Sequence, residues 1–202
     1  MKFQFPKNFY WSNLKVCIAD IGFGIFSAIF ISSIFKIELN FLVFIIAVIF
    51  ALLPDIDFLF YLIKNKSGEE DYRHRDISHY PLIFIPIGMI ALLFFGKEWS
   101  LLFSVSSFLH FVHDSIGIGW GIKWLYPFST NNFAFLYLYS GKEKNGLKKL
   151  IFSFNEKDLG FYAKEHGDAD WVKNIYEKWH PIFIIEFLIF IIAVVSLIIY
   201  VR

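Results

Sequence analysis

The run "PIFIIEFLIFIIAVVSLIIYV", Pro181 to Val201, holds one carboxylate, Glu186, and no lysine or arginine. Crossing a bilayer's ~30 Å of hydrocarbon takes about 20 mostly apolar residues in a helix, so this segment can span unaided. Lipid offers nothing to backbone N–H and C=O groups, which confines spanning elements to helices and closed barrels. Unbroken apolar runs without strand alternation choose the helix. Further runs lie at roughly 16–35, 39–63, 81–96 and 99–119. The third is short and holds Pro86, so it is expected to be tilted, kinked or partly inserted. Composition agrees, at 57% hydrophobic and 21% aromatic residues, above the roughly half-apolar mix of soluble domains. The chain therefore predicts an all-α membrane protein, a polytopic bundle of about five transmembrane helices. It forms a single membrane domain over 1–202, with a cytoplasmic insertion at 120–180 between the fourth and fifth spans. Within that insertion "NFAFLYLYSGKEKNGLKKLIFSF" suits a hairpin. "DADWVKNIYEKW" sets Trp171, Ile175 and Trp179 on one face, as an interfacial helix would.

Charge adds orientation. Lys2, Lys7 and Lys15 precede the first span, Lys64, Lys66, Arg73 and Arg75 follow the second, and nine lysines from Lys123 to Lys178 follow the fourth. Only Lys36, Lys97 and Arg202 fall on the other side, so 16 of 19 basic residues predict a cytoplasmic N-terminus in a cell (inner) membrane. The N-terminal segment lacks a short apolar core with a small-residue cleavage site, so the first run reads as retained. A formal net charge of +1 argues against nucleic acid as a partner. The single Cys17 excludes an internal disulfide and a cysteine-rich zinc module. Membrane lipids and a small-molecule or lipid-linked substrate are the expected partners.

Ionisable groups collect at one depth. Asp20 lies about a turn into span one, Asp55 and Asp57 end span two, and His74 and His79 follow in "HRDISH". His110, His113 and Asp114 close span four, and Glu186 lies about a turn into span five. Charge inside a membrane is costly and marks function by default. His110 and Asp114 are four apart, hence on one helical face. In "PDID" the carboxylates would splay on an ideal helix, but Pro54 disturbs the backbone there and an irregular turn could aim both inward. Mixed nitrogen and oxygen donors suit zinc, manganese or iron better than magnesium. The donor count allows one divalent ion or two. Arg73 and Arg75 beside the ligands are candidates for binding an anionic substrate, above all a phosphate.

At these residues the chain resembles the YdjM-like membrane-bound metal-dependent hydrolases, also described as LexA-binding, inner-membrane-associated hydrolases. The matching pieces are "LLPDIDFLF", "HRDISHYPL", "SFLHFVHDSIGIGW" and "WLYPFS", in order, over roughly residues 50–130. The resemblance implies that Asp55, Asp57, His74, His79, His110 and Asp114 carry the polar signature. Such sequences often have a histidine in the first apolar segment, where this chain has Asp20, an oxygen donor able to join the ligands.

The reading that follows is a metal-dependent hydrolase of an ester or phosphoester, possible lipid linkage included, working at the cytoplasmic interface. Asp55, Asp57, His74, His79, His110 and Asp114 are its ligands and catalytic groups, with Asp20 as a further ligand. Coordination brings the pKa of water to near 7, which supplies a nucleophile at neutral pH. The rivals are a divalent-cation or proton transporter and a non-catalytic scaffold with a structural metal. Transport calls for polar groups through the full bilayer depth, whereas the outer halves of the spans offer only serines. Structural zinc prefers cysteine, and none is available for it.

Overall fold

The computed structural model describes residues 15–57, 75 and 78–202. Helix α1 covers Ile18–Phe35 and α2 covers Phe41–Leu52. The Asn40 side chain accepts the N–H of Val43 at 3.0 Å, satisfying one of the donors that a helix start leaves open. At Pro54 the chain tightens into a 3₁₀ turn, Leu53–Asp55. Proline has no N–H to continue the α ladder, and the irregular backbone expected at "PDID" is present. Helix α3 covers Pro81–Leu93, with Pro86 inside it, and α4 covers Lys97–Asp114. Strands β1, Asn132–Leu138, and β2, Leu147–Phe154, pair antiparallel as the expected hairpin. A short helix α5, Leu159–His166, and α6, Pro181–Val201, complete the order.

Two helices, α1 and α6, are long and apolar enough to cross a bilayer, while α2 and α3 are shorter apolar helices. With 12 and 13 residues these two reach only ~18–20 Å. The expected extension of the second span to residue 63 lies beyond 57, outside the described residues. Helix α4 has 18 residues but carries Lys97, Glu98 and Asp114 at its ends. Only 17% of the α6 window is buried, and Ile185, Leu188, Ile192, Val195 and Ile199 are exposed along it. An apolar stripe of that length belongs against lipid rather than water.

Helix α1 is the hub, packing on α2, α4 and α6, and α4 also packs on α2 and α3. The approach is close because α1 is lined with small residues. A Cβ on Gly24 would lie 2.7 Å from the Val48 Cα, and one on Gly22 would lie 3.1 Å from the Phe190 Cα. Such backbone proximity supplies packing energy through close van der Waals contact. Ala28, Ile31, Val43, Ala47 and Leu102 form the buried seam.

The hairpin is fixed to the end of α4. Phe135 N–H donates to Ser115 O at 2.7 Å, and Tyr139 N–H donates to Gly117 O at 2.7 Å. Trp124 Nε1–H donates to Ser115 Oγ at 2.7 Å, with its ring against Phe108, Phe111 and Phe135. The expected interfacial helix near 171–179 is instead a π turn, Lys173–Glu177. Its wider winding separates the three residues: Ile175 is fully buried, Trp171 is partly covered, and Trp179 is exposed. Ile175 and Tyr176 seat on Phe183 of α6.

Candidate metal centre

Four elements meet at one end of the bundle. The turn after α2 supplies Asp55 and Asp57, the segment before α3 supplies His79, the last turn of α4 supplies His110 and Asp114, and the first turn of α1 supplies Asp20. Ser78 Oγ donates to the Pro54 carbonyl and so ties the His79 segment to the "PDID" turn. The acceptor that proline's missing N–H frees is the Phe50 carbonyl, four residues back, which takes the Ser107 hydroxyl at 3.4 Å.

One ligand atom from each of Asp55, His79, His110 and Asp114 lies within 4.8 Å of the other three. His79 Nε2 is 2.8 Å from Asp114 Oδ2 and 3.6 Å from Asp55 Oδ1. His110 Nε2 is 3.4 Å from His79 Nε2, 3.4 Å from Asp114 Oδ2 and 3.6 Å from Asp55 Oδ1. A tetrahedral ion with N and O ligands at ~2.0–2.1 Å has ligand–ligand edges of about 3.3–3.4 Å. Four of these five separations are near that edge; the His79–Asp114 pair is tighter. Asp114 Oδ2 is buried and accepts no aligned hydrogen bond, as befits a lone pair turned toward a common centre. The donor set and its spacing fit a divalent ion.

The far side of each imidazole is also held. His79 Nδ1 lies 2.8 Å from Asp57 Oδ2, and both groups are buried. His110 Nδ1 lies 3.1 Å from Asp20 Oδ1, an ion-pair contact without hydrogen-bond alignment. A carboxylate at Nδ1 favours the tautomer that leaves Nε2 free to ligate. The same Asp20 oxygen is 3.1 Å from His113 Nδ1, and His113 Nε2 is 3.3 Å from Glu186 Oε1. Asp20, His113 and Glu186 thereby link α1, α4 and α6 behind the centre. The shared depth of these three residues was the sequence signal for that link, but not its order.

Several residues expected as ligands or substrate contacts have other partners in the structure. Asp57 and Asp20 stand on the Nδ1 sides of the histidines and are not among the four converging residues; the irregular turn at Pro54 does not aim both "PDID" carboxylates inward. Arg75, expected to hold substrate, clamps Asp114: NH2 is 2.8 Å from Oδ1 and NH1 donates to the Asp114 carbonyl at 2.9 Å. That grip leaves Asp114 Oδ2 directed inward, a role with no sequence signature of its own. His74 and Arg73 lie outside the described residues.

Burial pushes the His79 pKa down, but Asp114, Asp55 and Asp57 outweigh it and hold the ring up at about 10. The His79, His110 and Asp114 side chains are 0%, 1% and 9% exposed, against 36% for Asp55, so among the four converging residues Asp55 is the most exposed.

A largely helical protein with two candidate membrane helices and a buried His₂Asp₂ cluster at one end of the bundle is the class that fold and site define. The chain matches the profile described as YdjM inner membrane protein over residues 18–202, and it belongs to that family. No curated protein and no solved structure matches it significantly.

Proposed function

We propose that this protein is a multi-pass, metal-dependent hydrolase of an ester or phosphoester bond, with its N-terminus and its centre on the cytoplasmic side. The observation that carries the reading is the pairing of two buried histidines. Each has a carboxylate at Nδ1 and turns Nε2 to a point shared with Asp55 and Asp114. A divalent ion held by these four residues would need its coordination expanded beyond the tetrahedron to admit water or substrate; with that position filled it would supply Lewis acidity toward a phosphoryl or carbonyl oxygen and bring the pKa of a water near neutral. Zinc, manganese or iron suits the mixed donor set. Asp57 and Asp20 orient the imidazoles, and Arg75 fixes Asp114.

A cytoplasmic N-terminus rests on the lysine and arginine bias. Against transport, the far halves of α1 and α6 carry no ionisable Asp, Glu, His, Lys or Arg, only serines and Tyr200 among polar side chains. Metal analysis of the purified chain beside His110→Ala and Asp55→Ala tests the centre. About one ion per chain, lost in both variants, is the expected result. Absence of stoichiometric metal from the wild type ends the proposal. A screen of phosphate and carboxylate esters with the loaded protein then separates enzyme from scaffold.

A further inference from the structure

The hairpin carries a feature that the centre does not use. Its register jumps between Phe135 and Leu136: Phe135 faces Ile151, whereas Leu136 faces Lys149. Leu150 is the residue left over, a β-bulge, and it is 74% exposed. Opposite it, Leu136 takes a left-handed backbone conformation with φ 63° and is 55% exposed. A branched, apolar residue in that region costs on the order of 1 kcal/mol or more, and bulges re-aim side chains. The bulge aims apolar ones outward. Ile151 is also exposed, and Lys148 and Lys149 adjoin them with their side chains free to the surface. Lys142 and Lys144 follow along the connecting turn, with Glu143 the one acid of this stretch.

We infer that the exposed stretch of the hairpin around the bulge, Leu136, Leu150 and Ile151 with Lys148 and Lys149, docks into the anionic surface of the bilayer. Apolar tips bordered by lysines match the boundary between acyl chains and negative head groups. Charge complementarity selects an anionic leaflet, and the hydrogen bonds from β1 to Ser115 and Gly117 transmit the docked position to the end of α4. The hairpin then holds that end of the bundle at head-group depth.

The test uses the full chain with Cys17→Ser, reconstituted in vesicles of phosphatidylcholine alone or mixed with phosphatidylglycerol. A nitroxide goes on Leu136→Cys or Leu150→Cys, with Asn145→Cys in the turn as reference. Collision rates with oxygen and with a water-soluble nickel chelate report depth. In the anionic vesicles the labels at 136 and 150 should favour oxygen relative to the label at 145. Lys148→Gln with Lys149→Gln should reduce the docked-to-undocked ratio by roughly thirtyfold, from about fivefold per lysine. Labels at 136 and 150 as open to nickel as that at 145 overturn the inference. So does immersion that is identical in neutral vesicles and unaffected by loss of the lysines, which removes the anionic surface as the partner.

Discussion

Replacing Asp57 by asparagine separates an orienting carboxylate from a ligand. Asp57 Oδ2 sits 2.8 Å from His79 Nδ1 with both groups buried, so the contact is a short, charge-assisted hydrogen bond. Such bonds are roughly twice as strong as neutral ones. Asparagine keeps the shape and an acceptor oxygen but removes the charge. Loss of an outer partner of a ligating histidine typically lowers metal affinity by roughly 10–100-fold, or about 1.4–2.7 kcal/mol. Asp57→Asn should fall near the lower end, and Asp57→Leu, which strands a buried Nδ1–H, near the upper end. His79→Ala removes a ligand and should cost more than either. The assay is zinc affinity of the full chain in lipid nanodiscs by chelator competition, with cobalt absorption to report coordination number. Asp57→Asn should retain a four-coordinate cobalt spectrum. Wild-type affinity in Asp57→Asn refutes the orienting role, and a loss as deep as that of His79→Ala places the Asp57 carboxylate on the ion.

Arg75→Lys should also weaken zinc binding, since one ammonium cannot reproduce two guanidinium contacts on Asp114; unchanged affinity would show that the clamp is dispensable. In the metal-free chain His79 titrates at about 10 against an ordinary 6.5. Its charge therefore stabilises the fold fully below about pH 6.5, and that contribution is lost as pH rises toward 10. Zinc must displace this proton, so affinity should strengthen by about tenfold per pH unit between pH 7 and 9. Calorimetry in buffers of different ionisation enthalpy should show net proton release, and its absence contradicts a charged His79. Trp124→Phe keeps the ring contacts but loses the bond to Ser115 Oγ; thermal unfolding should report a loss of about 0.5–1.5 kcal/mol, with metal content intact.

Much of this protein was legible in the chain itself. Apolar runs without strand alternation favour helices, and α1, α2, α3, α4 and α6 fall where those runs lie. Alternation and a glycine-bearing turn announced the hairpin. The i, i+4 spacing of His110 and Asp114 put both on one face, and Pro54 announced the break that follows α2. Which end of each polar side chain faces the shared centre was not legible. Two residues apart, Asp55 and Asp57 in "PDID" are expected to diverge, but only the packed structure shows which turns toward the shared centre and which lies behind His79. Arg75 reads as a loop charge until α4 brings Asp114 within 2.8 Å of it. Asp20, His113 and Glu186 come from three helices, and small residues on α1 let those helices approach closely enough to join them. Periodicity records the face a residue occupies along its own helix. The atoms that converge depend on how separate segments pack, and that was settled only by the tertiary structure.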